Sequence, residues 1–449
     1  MNVTVMDMME ARDRRAQRQR ELLAEFGQTL LCFTMNIPGP EKLSPLIRAG
    51  FRLGCRMLER GFLRLGVTPA HAESLEAVTG CEAFYVLPMT PEAAKALAIE
   101  LEEAAPLGRL FDMDVLRTDG RKVERQELGF PGRKCLLCGN DAQACARSRT
   151  HTVAELQQKT RALLSDALRA DQAQTVARLA CQALLYEVLT TPKPGLVDRA
   201  NSGSHSDMDV FTFAASTAAL HPYFEQCALI GHDTAGQAPE QTFALLRPAG
   251  KLAEGGMLAA THGVNTHRGA IFSVGILCAA AGRLDREDWR MPALLDACAQ
   301  MTRGLTESDF AGLTAGNART FGQRLYLAHG ITGVRGQAEQ GFPLVRDHGY
   351  PKLRAALAAG LSINDAGCAA LLALMAQNTD TNVIHRGGME AQRQLCHQAQ
   401  ALLEAAPYPS AAALEALDRQ LIADHISPGG SADLLALCYL LYFLEEEEK

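Results

Sequence analysis

The chain has 449 residues, 47% of them hydrophobic and 21% charged, with a formal net charge of −7 at neutral pH. This composition is globular, and the length leads us to expect two domains. Residues 1–160 carry 22 Lys+Arg against 21 Asp+Glu and the remainder 22 against 30, so neither part has the basic excess of a general nucleic-acid binder.

Charged and apolar groups alternate at helical spacing over the first 30 residues, through Met8, Leu22, Leu23 and Phe26, which predicts a helix. Asn36 to Glu41, with Pro38, Gly39 and Pro40, breaks it. A second helix is predicted over Pro45–Leu65, a short strand over Phe84–Leu87 stopped by Pro88, and a helix over Pro91–Ala104. Leu110–Leu116 alternates as a strand does, and Asp119-Gly120 marks a turn. The first part, 1–160, therefore reads as a mixed α/β domain.

From Thr152 onward the character changes. Ala/Leu-rich stretches at 153–189, 209–230, 270–282, 292–303, 351–376, 389–405, 411–425 and 431–444 repeat their apolar positions every three to four residues, with few β-branched side chains. The second part, 165–449, reads as one all-α domain of about ten helices. The Glu445–Glu448 run reads as a solvated tail. The 13 cysteines, in a chain large enough to bury a core without staples, indicate reduced thiols and a cytoplasmic protein. Arg12, Arg14, Arg15, Arg18 and Arg20 are not followed by the apolar core of a signal peptide. No run reaches about 18 apolar residues, so no membrane span is expected.

Chemistry concentrates in polar islands. In the first part, Asp112 and Asp114 sit at i and i+2, on one face of the predicted strand. Paired carboxylates of this kind suit Mg²⁺ beside a nucleotide phosphate, although an exposed strand end also carries such residues. Arg109, Arg121, Arg133 and Lys134 are available to orient a diphosphate. Cys135, Cys138, Cys145 and His151 have zinc-ligand spacing; buried structural thiols are the favoured reading of them.

In the second part, His205, Asp207 and Asp209 precede an apolar helix, so the aspartates either bind Mg²⁺ or cap that helix. Lys193 and Arg199 lie nearby as phosphate partners or solvated side chains. His262, Asn265, His267 and Arg268 precede another helix, as an anion pocket or as a hydrogen-bonded connection. Glu254 is a metal ligand, a base or a surface glutamate. Asp380, Asn382, His385 and Arg386 with Gly387-Gly388 form either a phosphate clamp or a capped junction. Ser427, Gly429, Gly430 and Ser431, closed by Asp433, resemble a small anion loop without the ending of a Walker A motif.

Residues 165–449 resemble the triphosphoribosyl-dephospho-CoA synthase family, CitG, which is related to the malonate decarboxylase protein MdcB. The resemblance rests on Lys193-Pro-Gly-Leu-Val197, Asn201 to Asp209, His262-Gly-Val-Asn-Thr-His267, Thr381-Asn-Val383 with Arg386-Gly-Gly388, and Ser427 to Asp433. It implies a reaction of ATP with 3'-dephospho-CoA that gives 2'-(5''-triphosphoribosyl)-3'-dephospho-CoA and adenine. It further implies that Asp207, Asp209 and Glu254 hold Mg²⁺ or stabilise a ribosyl cation. Lys193, His267, Arg268 and Arg386 would face phosphates, His205 or His262 would move a proton, and Asn201, Asn265 and Ser431 would contact the substrates.

Residues 1–160 resemble the holo-citrate lyase synthase family, CitX, through Gly108 to Asp114, Gly132 to Cys138, Cys145 to Arg149 and His151. That resemblance implies attachment of the prosthetic group to a serine of the citrate lyase acyl-carrier subunit with loss of diphosphate, Asp112 and Asp114 being the metal ligands. Together the two resemblances imply a bifunctional enzyme. The alternatives are a synthase serving malonate decarboxylase maturation and a nucleotide- or CoA-binding regulator without catalysis.

Overall fold

The protein is described by a computed structural model covering residues 3–447. Two compact units divide it, Met1–Ala170 and Asp171–Lys449. The elements begin α1 (Val5–Phe26), β1 (Thr29–Met35), α2 (Pro45–Arg64), β2 (His71–Ala77), β3 (Gly80–Leu87), α3 (Pro91–Ala104), β4 (Phe111–Leu116), α4 (Ala142–Ser148) and α5 (Val153–Leu189). They continue with α6 (Val210–Asp233), α7 (Pro239–Ala260), α8 (Arg268–Arg283), α9 (Met291–Met301), α10 (Leu305–Phe310), α11 (Phe321–His329) and α12 (Val334–Glu339). The last are α13 (Tyr350–Ala358), α14 (Ile363–Gln377), α15 (Thr381–Ala405), α16 (Ala411–Ala423) and α17 (Gly429–Glu446). No helix among the described residues is long and apolar enough to cross a membrane.

In the first unit the four strands form an antiparallel sheet in the order β2-β3-β1-β4. Thr4 and Asp7 cap α1 reciprocally, and Ser44 and Thr90, each followed by proline, start α2 and α3. Alternation in β4 sends Phe111, Met113 and Val115 into the core shared with α2 and α3. The opposite face packs Cys32, Phe84 and Leu116 against Leu22 and Leu23 of α1. Two strands escape the sequence pattern. The central β1 is buried on both faces, so Leu30-Leu-Cys-Phe33 is a continuous apolar run without alternation. The edge strand β2 is mostly exposed and polar.

The second unit is helical throughout. Its central helices α8, α14 and α17 bury almost every side chain, which suits a helix apolar on all sides. Helix α7 is an addition to the expected set, its pattern interrupted by Pro248 and by Gly255-Gly256. The expected stretch 351–376 divides into α13 and α14 at Gly360. Nor is the acidic end a free tail. Glu445 accepts hydrogen bonds from Met291 N–H at 2.7 Å and Tyr350 O–H at 2.5 Å, and Glu446 and Glu447 pair with Arg354 and Arg178. Glu448 lies outside the described residues.

Helices α6 and α8 approach until backbone meets backbone. A Cβ on Gly282 would fall 2.0 Å from the Ala228 carbonyl oxygen, and one on Gly231 would fall 2.1 Å from that of Ala279. Only glycine allows this spacing. We expect Gly282→Val to destabilise the helical unit by about 1–3 kcal/mol, seen as a lower urea midpoint of the helical circular-dichroism signal of the full chain. An unchanged midpoint would contradict this packing.

Candidate functional site

The polar islands of the helical unit converge on one cavity of about 900 Å³. The starts of α6, α8, α12, α15 and α17 all contribute to its wall. Each such start carries the positive end of its helix dipole.

Two carboxylates, Asp380 buried and Asp433 half-buried, hold three of these starts together. Asp380 is the N-cap of α15, accepting from Asn382 N–H at 2.9 Å. The same carboxylate accepts from Ser431 N–H at 2.8 Å and Ser431 O–H at 3.2 Å, in the first turn of α17. Asp433, one residue pair further along α17, lies against the start of α8: a Cβ on Gly269 would meet its Oδ2 at 2.0 Å. Burial, then the charges of Glu187 and Asp380, push the Asp433 carboxyl well above the usual carboxylate range. The Ala270 N–H partly opposes this.

Lys193 arrives from the 191–209 island, which folds around two buried aspartates. Asp198 accepts from Lys193, Ala200 and Asn201 N–H at 2.9, 2.6 and 3.0 Å. Asp418 accepts from Gly195 N–H at 2.8 Å and from Asn201 Nδ2 at 2.9 Å. Thus Asn201 braces the loop and is not among the residues lining the cavity. The Lys193 ammonium, 1% exposed, is paired with Glu187 of α5, and both line the cavity. Burial raises the Glu187 carboxyl, and Lys193 counteracts it.

His205 lines the cavity with its ring between Ser427 Oγ, 2.9 Å from Nε2, and Arg386 Nη2, 3.3 Å from Nδ1. The neutral ring therefore accepts at Nδ1 and donates at Nε2. Burial, then the Arg386 charge, hold its pKa below the ordinary value. Arg386 also donates to the carbonyls of Ser204 and His425 at 3.0 and 3.2 Å. His267 is buried, with Nδ1 at 2.6 Å from Ser216 Oγ and with Nε2 lacking a hydrogen-bond partner. Burial, then Lys193, lower its pKa to about 3.

The remaining predicted residues divide. Asp207, Glu254, Asn265 and Arg268 line the cavity; Glu254 and Arg268 pair at 3.4 Å, and Asn265 Oδ1 accepts from Arg268 N–H at 3.3 Å. Asp209, His262 and Ser431 do not line it. The Asp209 carboxylate caps α6 reciprocally with Thr212, whose amide and hydroxyl both occupy Oδ1, so the group expected to bind metal serves as a helix cap. His262 is exposed at a left-handed turn, φ 54°. Ser431 is buried as the brace of Asp380. Glu187 is a wall residue missing from the sequence expectation, a lone Glu inside the apolar end of α5 being the available signal, and Asp433, expected only to close the Ser427–Ser431 loop, is itself in the wall.

In the first unit Asp112 lines a smaller cavity of about 170 Å³ with Arg12, Arg15, Thr34 and Lys42. Register places Glu82, Thr34 and Asp112 in a row across β3, β1 and β4. Arg15 reaches down from α1 to bond Glu82 at 2.6 and 2.9 Å. Surrounding protein, then the Asp114 charge, push the Asp112 carboxyl upward. Asp114 is paired with Lys122 at 2.5 Å. Arg109 and Arg133 act as anchors: Arg109 donates to the Lys134 carbonyl, and Arg133 to the Phe111 carbonyl and to Glu102, three bonds tying 133–134 to the approach to β4, to β4 and to α3. Arg12, Arg15 and Lys42 share the smaller cavity with Asp112, while the charges of Arg133 and Lys122 oppose the rise of its carboxyl. Sγ of Cys135, Cys138 and Cys145 and a His151 nitrogen all lie within 4.8 Å of one another.

A mixed α/β unit with paired carboxylates beside cations, followed by a helical unit whose helix starts enclose a polar cavity, defines a two-part nucleotide-processing transferase. Residues 173–449 match the family model described as CitG, ATP:dephospho-CoA triphosphoribosyl transferase, and residues 3–167 that described as CitX, apo-citrate lyase phosphoribosyl-dephospho-CoA transferase. The chain is 37% identical to Protein CitXG of Haemophilus influenzae, over 97% of this chain and 95% of the relative. It is 33% identical to Protein CitXG of Leuconostoc mesenteroides, over 98% and 97%. The helical unit is also similar to the 2-(5''-triphosphoribosyl)-3'-dephosphocoenzyme-A synthase of Pectobacterium atrosepticum, 46% identical over 59% of this chain and 87% of that one. The chain belongs to the CitXG family, in which a CitX part precedes a CitG part.

The depressed His267 pKa has a consequence for stability. Between about pH 3 and 6.5 the unfolded chain binds a proton at this site that the folded chain refuses, so stability from this group falls as pH drops below 6.5. We expect His267→Gln to remove up to about 1.4 kcal/mol per pH unit of that dependence, measured by urea unfolding at pH 7 and pH 5. Parallel losses in both proteins would contradict the assignment.

Proposed function

We propose that the chain is a bifunctional enzyme that makes the citrate lyase prosthetic group and attaches it. In the helical unit ATP and 3'-dephospho-CoA give 2'-(5''-triphosphoribosyl)-3'-dephospho-CoA and adenine. The first unit then transfers this group to a serine of the citrate lyase acyl-carrier subunit and releases diphosphate. The observation that carries the reading is the large cavity, in which buried carboxylates and cations occupy opposite roles within one wall.

The ribose 2'-hydroxyl of dephospho-CoA attacks C1' of the ATP ribose, and the bond from C1' to adenine breaks. Positive charge develops on the sugar, for which Glu187 and Asp380 are the wall carboxylates that do not take part in proton transfer. We assign proton removal from the 2'-hydroxyl to Asp433, which lines the cavity and whose carboxylate is made more basic by its surroundings. Lys193, Arg268 and Arg386 face the triphosphate, and neutral His267 orients substrate through its free Nε2. His205, held between Ser427 and Arg386, positions that arginine.

In the first unit the row of Thr34 and Asp112 beneath Arg12, Arg15 and Lys42 receives the diphosphate leaving group. Asp112 and Asp114 are hard oxygen donors on one strand face, a set that fits Mg²⁺; Asp207 is the corresponding donor at the larger cavity. When bound, the ion neutralises phosphate charge. With 13 free cysteines among the described residues, we place the enzyme in the cytoplasm. A malonate decarboxylase role is disfavoured by the CitX match of the first unit.

Two variants separate the activities. Asp433→Asn retains the shape of the side chain and should lower dephospho-CoA-dependent adenine release by about 10²-fold or more, with KM for ATP little changed. Asp112→Asn should abolish labelling of the apo carrier protein while leaving adenine release intact. Adenine release undiminished in Asp433→Asn would reject the proton role, and no adenine from the unmodified enzyme would reject the synthase reading itself.

A further inference from the structure

We infer that Cys135, Cys138, Cys145 and His151 form a structural zinc site. All four ligand atoms already lie within 4.8 Å of one another, the span of a tetrahedral zinc shell, and Cys138 and Cys145 sulfurs are 3.4 Å apart. His151 Nε2 has no hydrogen-bond partner.

The backbone around the first two cysteines is shaped for a metal. Cys135 N–H donates to the Asn140 carbonyl at 2.5 Å, Gly139 turns at φ 72°, and a bridge pairs Lys134 with Asp141. This compact turn aims the N–H groups of Leu137 and Cys138 at the Cys135 sulfur, and that of Asn140 at the Cys138 sulfur. Such bonds favour thiolates.

Packing supplies the second argument. Between Glu124 and Thr152 the only buried residues are Cys135 and Cys145. This stretch has no apolar core, and α4 is seven residues long. Segments that cannot bury enough apolar surface are held by metal or disulfide. Three cysteines converging with a histidine match a Cys₃His shell, and a single disulfide would leave the third sulfur and the imidazole unused. Four protein ligands close the shell, so the ion has no open position for substrate and its role is structural. What it holds is the segment whose Arg133 bonds the carbonyl of Phe111, next to Asp112.

The test uses the full-length enzyme purified under reducing conditions without chelator, with metal content read by inductively coupled plasma mass spectrometry. About one zinc per chain is expected, falling at least tenfold in Cys138→Ser and in His151→Ala. Adenine release should remain in both variants, which shows that the helical unit is folded. A mercurial thiol reagent should release the zinc from the unmodified enzyme in step with modification of three thiols. Zinc absent from the unmodified enzyme even after incubation with ZnCl₂, zinc retained in Cys138→Ser, or a Cys138–Cys145 disulfide in the purified protein would each overturn the inference.

Discussion

Two aspartates, Asp380 buried and Asp433 half-buried, decide the arrangement of the helical unit. Asp380 begins α15 and also receives the amide and hydroxyl of Ser431 in α17; Asp433 of α17 in turn rests on the start of α8. The start of α15 is thereby satisfied by its own cap, and the starts of α17 and α8 each by a carboxylate belonging to a neighbour. Unsatisfied first-turn amides and an isolated buried carboxylate are both costly alone, and bringing them together offsets both costs. The apolar surfaces of α8, α14 and α17 supply the bulk of the burial, but they are nearly uniform around each helix and do not select one axial register. The carboxylates supply that register, and the cavity exists because they gather the helix starts at one end.

The same arrangement explains why charge is buried where a stable core alone would not need it. A buried ion pair such as Lys193–Glu187 adds little net stability over apolar replacements, whereas removal of one partner leaves a costly charge behind. On the proposed mechanism such a pair would serve chemistry: lining the cavity, it would place a negative group where a sugar cation forms and a cation toward the phosphates. Deep burial keeps His267 neutral beside Lys193, so that it offers a hydrogen-bonding nitrogen without adding charge.

Much of this was legible in the residues themselves, with limits that have physical causes. Alternation exposed β4 and therefore the shared face of Asp112 and Asp114. It could not expose β1, whose two faces are both buried, or β2, whose faces are both polar. The polar islands stood out against Ala/Leu helices and do converge on one cavity. Within an island, however, the residue type does not distinguish a wall residue from a brace. Asp207 and Asp209 look equivalent in sequence, yet Asp209 closes a capping box and Asp207 lines the cavity. Asn201, Ser431 and Arg133 likewise hold backbone or neighbouring side chains in place. Glu187 was hidden because its partner Lys193 lies beyond the helix that carries it, and the acidic end of α17 found partners in Met291, Tyr350 and Arg354 that only the tertiary fold brings near.

The central claim is that ATP seats on the gathered helix starts of the second unit. Hydrogen–deuterium exchange of the full-length enzyme, with and without saturating ATP and Mg²⁺, tests it most directly. The account predicts new protection concentrated in peptides covering 265–271, 379–383 and 427–433, with 193–205 joining when 3'-dephospho-CoA is added. Protection confined to other segments while those peptides exchange unchanged would contradict it.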